Sequence, residues 1–279
     1  MNQGDIQLKS EESHSFSYFK EVSMKIRKSV LAVVLSVSLV IGCTTTVSAA
    51  ELKGIAAPNA GQFQEVGSSF TGETVPTEEE YQAYLESLSQ EELSKIAEKE
   101  NLVRSYAANR VQTRAGTKIS IPGTFNMYQQ EEGNYCVPAT IKSMLVYLTG
   151  SSPSQSQIFS SLGGDEDGVS SVKMPGYLND RQSQVYYVYK GSPSQTSMCD
   201  SLYTTIKHAQ APASMGISGT TTSNWYYLTN GHSLVVNAIY DDYSYIQFGD
   251  PLGERTPGCP YFYLKSASLA HDVCTRIVY

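Results

Sequence analysis

The order of the predicted elements is the feature that most constrains the fold of this 279-residue chain. Helical periodicity comes first, and short runs of β-branched and aromatic residues follow after a shift in composition near Lys118. A chain whose helices precede its strands is typical of the α+β class. The sequence therefore predicts an α+β fold with an N-terminal helical part and an antiparallel β-sheet.

Two capping-box signatures open the helical part, Thr77 to Glu80 and Ser89 to Glu92, and each predicts the start of a helix. Apolar stripes follow both starts: Tyr81, Tyr84, Leu85 and Leu88 in the first helix, and Leu93, Ile96, Ala97, Val103, Tyr106 and Ala107 in the second. We interpret residues 77–117 as a helical N-terminal extension or as a pro-segment that covers a cleft. The structural extension is slightly favoured, because only the basic stretch around Arg110 and Arg114 suggests a cleavage site.

Residues 51–76 lack periodicity and are rich in Gly, Pro, Ser and Thr, so we predict a disordered linker there. Residues 118–279 form the candidate catalytic domain. A buried helix is predicted over Cys136–Thr149, ending at Gly150, and a shorter one over Ser154–Leu162. Strands are predicted at 184–189, 213–217, 233–240, 245–248, 261–264 and 275–279.

The first fifty residues have the layout of a secretory signal peptide. Met24 and a short basic stretch precede the apolar run Val30 to Gly42, and small polar residues continue to Ala50. The polar residues 1–23 are atypical and are explained most simply by a mis-assigned start, with Met24 as the initiator. We therefore expect an exported bacterial protein without an integral membrane span, because the apolar run is shorter than the ~20 residues that a span needs.

Two processing outcomes stay open. Val47-Ser48-Ala49 offers small residues to signal peptidase, which would release a secreted product, whereas Val40 to Cys43 resembles a lipobox in which Cys43 would be lipidated. Either outcome places the mature protein outside the cytoplasmic membrane. The net charge of -7 also disfavours nucleic acid as a partner, because phosphate binding requires clustered Lys and Arg.

The five cysteines match no paired zinc motif, so neither a metal nor an organic cofactor is expected. Cys259 and Cys274 could form a disulfide in an exported protein, and Cys199 could be a buried apolar residue. Cys136 differs because it begins a helix. Backbone N–H groups and the helix dipole favour a thiolate there, so Cys136 is the candidate nucleophile.

A thiol nucleophile needs a base, and histidine suits this role at neutral pH. His208 and His271 are interpreted as surface residues, whereas His232 stands immediately before a predicted apolar strand. A hairpin with the next strand would bring Asp250 near His232, where its carboxylate could orient the imidazole. A strand-end histidine without chemical role and a simple turn at Asp250 are the alternatives.

Stabilisation of a developing oxyanion requires a preorganised hydrogen-bond donor. Gln130, six residues before Cys136, can supply a side-chain amide beside the Cys136 backbone N–H, and Gln129 is the competing candidate. Trp225, Tyr226 and Tyr227 either line a cleft or form a packed aromatic cluster, and the cluster is favoured.

Three blocks in order carry a family resemblance: Gln130 to Thr140 (QEEGNYCVPAT), Gly231 to Val236 (GHSLVV), and Gly249-Asp250-Pro251. They resemble bacterial papain-like cysteine peptidases of the bacteriocin-leader (double-glycine) peptidase-like group, family thirty-nine among cysteine peptidases. The resemblance covers about residues 118–279.

The resemblance implies a papain-like fold with Cys136 as nucleophile, His232 as general base and then acid, Asp250 as orienting residue and Gln130 as oxyanion donor. The family usually has Gly after its cysteine, and Val137 stands there, which puts the substrate range in doubt. Transporter-linked members carry an exporter module that this chain lacks, so a leader-processing role is not carried over.

The sequence therefore predicts an exported thiol hydrolase that cleaves peptide bonds of a protein or peptide substrate through a thioester acyl-enzyme. A cell-wall amidase or isopeptidase with the same catalytic residues is one alternative. A non-catalytic binding or inhibitory module of the same fold is the other.

Overall fold

A computed structural model of the chain describes residues 51–57, 70–110 and 116–279. The predicted signal peptide with Cys43, the central part of the predicted linker and Arg114 lie outside the described residues. Within those three ranges, no helix combines the length and the apolar character that crossing a membrane requires.

The two N-terminal helices are confirmed. Helix α1 spans Glu78–Ser87 and α2 spans Gln90–Ala108, and the side chains of Thr77 and Ser89 close the two capping boxes. These caps satisfy backbone N–H groups that have no partner within the helix, which fixes where each helix starts.

Helix α2 packs against the C-terminal half of the chain. Glu100 pairs with Lys190 at 3.0 Å and accepts a hydrogen bond from the hydroxyl of Tyr279. The ring of Tyr106 stacks on that of His208, with 3.5 Å between centroids. The helical extension is therefore tied to the face of the domain that carries these residues.

The predicted helix after the candidate nucleophile is confirmed: α3 spans Cys136–Thr149 and ends at Gly150, whose φ of 79° is left-handed. The second predicted helix is also present as α4, Gln155–Ser161, capped by Ser154. Four further helical segments follow. They are a 3₁₀ turn at Ser171–Lys173, α5 at Met174–Asn179, α6 at Gln195–Tyr203 with a π-helical continuation at Thr204–His208, and α7 at Ala267–Val273.

The chain also forms an antiparallel β-sheet. The presence of this sheet beside the helices confirms the predicted α+β class. Its strands run in the order β11-β10-β9-β8-β12-β7, and β4 also pairs with β9. The members are β4 Lys118–Ser120, β7 Tyr189–Gly191, β8 Ala213–Ile217, β9 Thr229–Tyr240, β10 Tyr245–Gly249, β11 Phe262–Ser266 and β12 Cys274–Val278. The long strand β9 is the centre of the sheet because it pairs with three of these strands, β4, β8 and β10.

The predicted strand at 184–189 is wrong, since only its last residue lies in β7. The side chain of Asn179 bonds to the backbone N–H and C=O of Tyr187, and Gln182 bonds to Val185 in the same way. Side-chain amides thus satisfy the backbone groups that a sheet neighbour would otherwise bind.

The interpretation of 51–76 as an unstructured linker is also wrong for the residues that the structure describes. Strand β1, Leu52–Ile55, pairs in parallel with β5, Phe125–Tyr128. Two short strands follow, β2 at Phe70–Thr71 and β3 at Glu73–Thr74; β2 pairs with β9, and β3 pairs with β6, Val169–Ser170. Pairing between backbones requires no apolar periodicity. The sequence of this segment therefore gave no sign of these strands.

Helix α3 lies between β5 and β9 and is buried along most of its length. Hydrogen bonds tie it to both neighbours: the hydroxyl of Ser143 accepts from the backbone N–H of Tyr128, and that of Thr140 donates to the backbone C=O of Ser233. The helix is thus fixed in rotation and along its axis against the centre of the sheet.

Two glycine substitutions should change stability in opposite directions. Gly150→Ala forces a side chain into left-handed backbone with no heavy atom within 4 Å of the new Cβ, so the backbone alone should cost about 1 kcal/mol. Gly176→Ala lies in the exposed face of α5, also in open space, and should stabilise by about 0.5–1 kcal/mol. Urea unfolding of both variants measures the two changes, and equal effects would contradict the left-handed end of α3.

Candidate active site

Cys136 is the first residue of α3 and is fully buried. The backbone N–H groups of Ser233 and Val137 donate hydrogen bonds to its Sγ. Ser233 belongs to β9, and the bond from Thr140 to its C=O holds the helix start against this point of the strand. The thiol is therefore fixed at the junction of α3 and β9.

His232 lies inside β9 rather than before it, because β9 begins at Thr229. Its ring is fully buried, and Nε2 lies 3.0 Å from Oδ1 of Asp250. Since Nε2 faces the carboxylate, Nδ1 is the ring nitrogen that can exchange a proton with a thiol. His232 is the chain neighbour of Ser233, whose N–H faces Cys136, so the thiol and the imidazole belong to neighbouring positions along β9.

Asp250 follows β10 and is fully buried among hydrogen-bond donors. Oδ2 accepts from the hydroxyls of Tyr227 at 2.6 Å and Tyr263 at 2.7 Å, and Oδ1 accepts from the backbone N–H of Leu252 at 2.8 Å. Burial alone would raise the pKa of this carboxyl, but His232 and the two tyrosine hydroxyls outweigh burial and hold the pKa below its usual range. The carboxylate is thus kept ionised next to the imidazole.

Gln130 is also buried, and both of its amide hydrogens are used within its own turn. Nε2 donates to the backbone C=O of Glu132 at 2.9 Å and of Gly133 at 2.8 Å. The competing Gln129 bridges distant segments, since it accepts from the N–H of Ala57 and donates to the C=O of Gly253. In this conformation, Gln130 shapes the turn before Cys136, and Gln129 ties β1 to the domain.

Residues 70–74, which we name the strap, run across the start of α3. The backbone N–H of Gly72 bonds to the C=O of Gly231 at 3.0 Å, one residue before His232. A Cβ on Gly72 would lie 2.8 Å from Sγ of Cys136. On the other side, a Cβ on Gly168 would lie 2.3 Å from the carbonyl oxygen of Gly72. The strap therefore covers the thiol at a distance that only glycine permits.

The surroundings of Cys136 act on its pKa in both directions. Burial raises the pKa of Cys136, and the carboxylate of Glu73 in the strap raises it further. The N–H of Ser233 and the charge of Arg276 lower it without compensating for these effects. With the strap in place, burial and Glu73 therefore favour the thiol form of Cys136, against the effect of the helix start.

The disulfide between Cys259 and Cys274 is not formed, and the four cysteines in the described part of the chain are free. Cys259 Sγ lies 3.6 Å from Asp250 Oδ2, whereas Cys274 Sγ lies 3.5 Å from the backbone oxygen of Arg276. The two cysteines thus contact different parts of the sheet. Cys199 is buried, as predicted.

The three aromatic residues before β9 form the packed cluster that the sequence favoured. Trp225 is buried and donates from Nε1 to the hydroxyl of Tyr263 at 3.1 Å, and Tyr226 packs edge-on against the same ring. Tyr227 contacts both His232 and Asp250. The cluster therefore packs against His232 and Asp250 and helps to hold both side chains in place.

Sequence reasoning missed Tyr263, Arg276 and the strap. The hydroxyl of Tyr263 carries no sequence signal, because tyrosine is also an ordinary strand residue. Arg276 does carry one: it precedes Ile277 and Val278 in the last strand, and a charge in an apolar strand requires a buried partner.

Comparison with known proteins supplies a family. A family model described as Peptidase_C39 like family matches residues 123–266, which is just over half of the chain. Among solved structures, the chain is similar to xylellain, a cysteine protease from Xylella fastidiosa, with 10% identity and a TM-score of 0.48 over 78% of this chain and 98% of that chain. No curated protein sequence gives a significant match.

The matched residues include Cys136, His232 and Asp250. The assignment rests on the sequence match. The chain belongs to the Peptidase_C39 like family and is a cysteine-type peptidase.

Proposed function

We propose that this protein is an exported bacterial cysteine peptidase that hydrolyses peptide bonds through a thioester acyl-enzyme. Cys136 is the nucleophile, His232 is the general base and then the general acid, and Asp250 orients the imidazole. The observation that supports this most directly is the 3.0 Å contact between His232 Nε2 and Asp250 Oδ1 beside the residue that binds the thiol.

The first half of the reaction forms the acyl-enzyme. When the strap leaves, Nδ1 of His232 accepts the thiol proton, and the sulfur of Cys136 attacks the carbonyl carbon of the scissile peptide bond. His232 then donates that proton to the leaving nitrogen, the C–N bond breaks, and a thioester remains on Cys136. Asp250 stabilises the imidazolium throughout and keeps Nε2 of His232 hydrogen-bonded.

The second half releases the acid. Water attacks the thioester carbonyl while His232 accepts a proton from it. The C–S bond then breaks, and the proton returns to the sulfur or remains on the imidazole. Two proton transfers through one ring require that the ring keeps its orientation, which the hydrogen bond to a fully buried carboxylate provides.

The oxyanion is met by the backbone N–H of Cys136, which belongs to the first turn of α3 and has no acceptor within the helix. We keep Gln130 as the side-chain donor because it is buried in the turn before the nucleophile. Its amide must exchange the C=O of Glu132 or Gly133 for the substrate oxygen when substrate binds.

Loss of the thiol should abolish hydrolysis. In a peptide-library digest read by mass spectrometry, Cys136→Ala should yield no fragments, and His232→Ala should lower the rate on the order of 10²–10⁴-fold. Cys199→Ala is the matched control, because that cysteine is buried away from the site. The digest is run on the unaltered chain and on Gly72→Ala, in which the added methyl group displaces the strap.

Two results would overturn the proposal. If neither chain cuts any peptide, the protein is a non-catalytic module of the same fold. If peptides stay intact while cell-wall fragments are cleaved in a Cys136-dependent way, the protein is an amidase.

Removing one donor to Asp250 should destabilise the protein in a pH-dependent way. Tyr227→Phe should lower the free energy of unfolding by about 1.5–3 kcal/mol at pH 7, the usual worth of a hydrogen bond to a charged group. Because the folded pKa of Asp250 lies below its unfolded value of about 3.9, its contribution is complete above that pH and is lost as the pH falls through the folded pKa. Urea unfolding at pH 7 and pH 3 should therefore show a smaller effect at pH 3.

Tyr226→Phe is the control for this measurement. It makes the same change one residue away, on a half-buried ring whose contact with Tyr263 is through the ring face and edge. An equal loss in both variants, or a loss independent of pH, would contradict an ionised Asp250.

Export is proposed from residues 24–50 alone. Intact mass spectrometry of the protein from the source bacterium should show a mature N-terminus at or after Cys43. A start at Cys43 with a lipid mass indicates an anchored form, and a start near Ala50 indicates a secreted form. A cytoplasmic chain that retains residues 24–50 would contradict export.

A further inference from the structure

Arg276 forms a built anion site beside the thiol. It is fully buried, and its guanidinium donates from Nη1 to Ser214 Oγ at 2.6 Å and from Nη2 to Ser233 Oγ at 2.8 Å. The remaining donors face Glu73, from Nε to Oε1 at 2.8 Å and from Nη2 to Oε2 at 2.6 Å. The sheet thus holds the cation rigidly and presents one bidentate edge to a carboxylate.

The sheet has no side chain at the position where that carboxylate lies. Gly216 on β8 pairs with Ser233 on β9 and with Arg276 on β12, so the three residues form one line across the sheet. A Cβ on Gly216 would lie 2.4 Å from Oε1 of Glu73. Any larger residue there would occupy the space that the carboxylate fills.

Along the strap, the residue that occupies the anion site directly follows the residue that covers the thiol. Ser233 contacts both, through its N–H to Cys136 and its hydroxyl to Arg276. Gly72 lies on the thiol, and Glu73 immediately follows it. A chain that crosses the thiol therefore places its next side chain at the guanidinium.

The rest of the strap is held through its backbone. It pairs with β9 on one side and with β6 on the other. Such pairing accepts an extended peptide of almost any sequence, so selection between peptides falls to the side chain that reaches Arg276. An uncharged side chain there would leave a buried cation without its partner, which is strongly unfavourable.

We propose that Arg276 is the determinant of an acidic subsite beside Cys136, and that Glu73 of the strap occupies this subsite and keeps the thiol covered. The ligand class is an extended peptide with Asp or Glu next to the residue on the thiol. That such a peptide is also a substrate rests on the proposed function, whereas its binding does not.

The first test measures how fast iodoacetamide modifies Cys136 in the full chain, by mass spectrometry under native conditions. Glu73→Gln removes the charge and keeps the size, so the strap should open and modification should accelerate about tenfold or more. Glu98→Gln, an exposed glutamate on α2, is the matched control and should modify at the unaltered rate. Equal rates for the unaltered chain and Glu73→Gln would overturn the role of Glu73.

A second variant opens the strap without altering Arg276 or Glu73. In Gly72→Ala, the methyl group meets Sγ of Cys136 and the backbone of Asn134, at 2.8 and 3.2 Å. Modification should accelerate here too, and it provides the same test if Glu73→Gln fails to fold. An unchanged rate would show that the strap does not control access to the thiol.

The acidic subsite is tested by adding peptides to the Glu73→Gln chain. The peptide Ser-Phe-Thr-Gly-Glu-Thr-Val should protect Cys136 from iodoacetamide, and its Gly-Gln counterpart should need at least a tenfold higher concentration, on the order expected when a buried charge loses its partner. Equal protection by both peptides would overturn the acidic subsite.

Protection of Cys136 from iodoacetamide is measured without any hydrolysis of the peptide. If the Glu peptide protects Cys136 but the library digest finds no hydrolysis, the subsite stands and the peptidase proposal fails. If hydrolysis is found and the two peptides protect equally, the peptidase proposal stands and the subsite fails.

Discussion

Ser233 is the residue on which the arrangement of the site depends. Its backbone N–H binds the sulfur of Cys136, its C=O accepts from Thr140, and its hydroxyl accepts from Arg276. The preceding residue in the chain is His232. One position of β9 therefore sets the place of the nucleophile, the helix that carries it, the imidazole and the buried cation. Displacing β9 by one residue would turn these groups to opposite faces of the sheet.

Two buried charges lie on either side of this position. Asp250 is held by two hydroxyls, a backbone N–H and the imidazole, and Arg276 by two hydroxyls and Glu73. Removing an ion from water costs several kcal/mol, so each charge persists only because its hydrogen-bonding groups are satisfied. The two sites differ in what satisfies them. The partners of Asp250 belong to the domain, whereas the carboxylate on Arg276 comes from the strap and can leave with it.

The sequence predicted the parts of the fold that local chemistry specifies. Capping boxes located α1 and α2, and Gly150 located the end of α3, because unpaired backbone groups and left-handed backbone restrict which residues stand there. The approach of Asp250 to His232 followed from a hairpin between two recognisable strands. Which residues would support Asp250 could not be predicted, because Tyr263 reaches it from another strand through a contact that only tertiary structure creates.

The strap could not be predicted from the sequence for a different reason. Strands of two residues have no period, and the segment around Gly72 and Glu73 reads as turn-forming composition. Its structure is supplied by β6 and β9, which lie about 100 and 160 residues further along the chain. Loop-closure entropy grows only slowly with such distances, so a short segment can bind to strands far away in sequence. Arg276 was the available signal, as a charge in an apolar strand whose partner the sequence does not identify.

The pKa of Cys136 depends on two opposing effects, the helix start and the exposure of the sulfur to water. A helix N-terminus stabilises a negative charge by about 0.3–1 kcal/mol, and by up to about 2 kcal/mol in partly buried geometry. Full burial disfavours the same charge by several kcal/mol, and the carboxylate of Glu73 adds repulsion at short range. Burial is therefore the larger effect while the strap lies on Cys136. When the strap is displaced, the repulsion is removed and water reaches the sulfur, while the helix start, the N–H of Ser233 and Arg276 all remain in place. The same movement that opens the cleft thus also favours the thiolate.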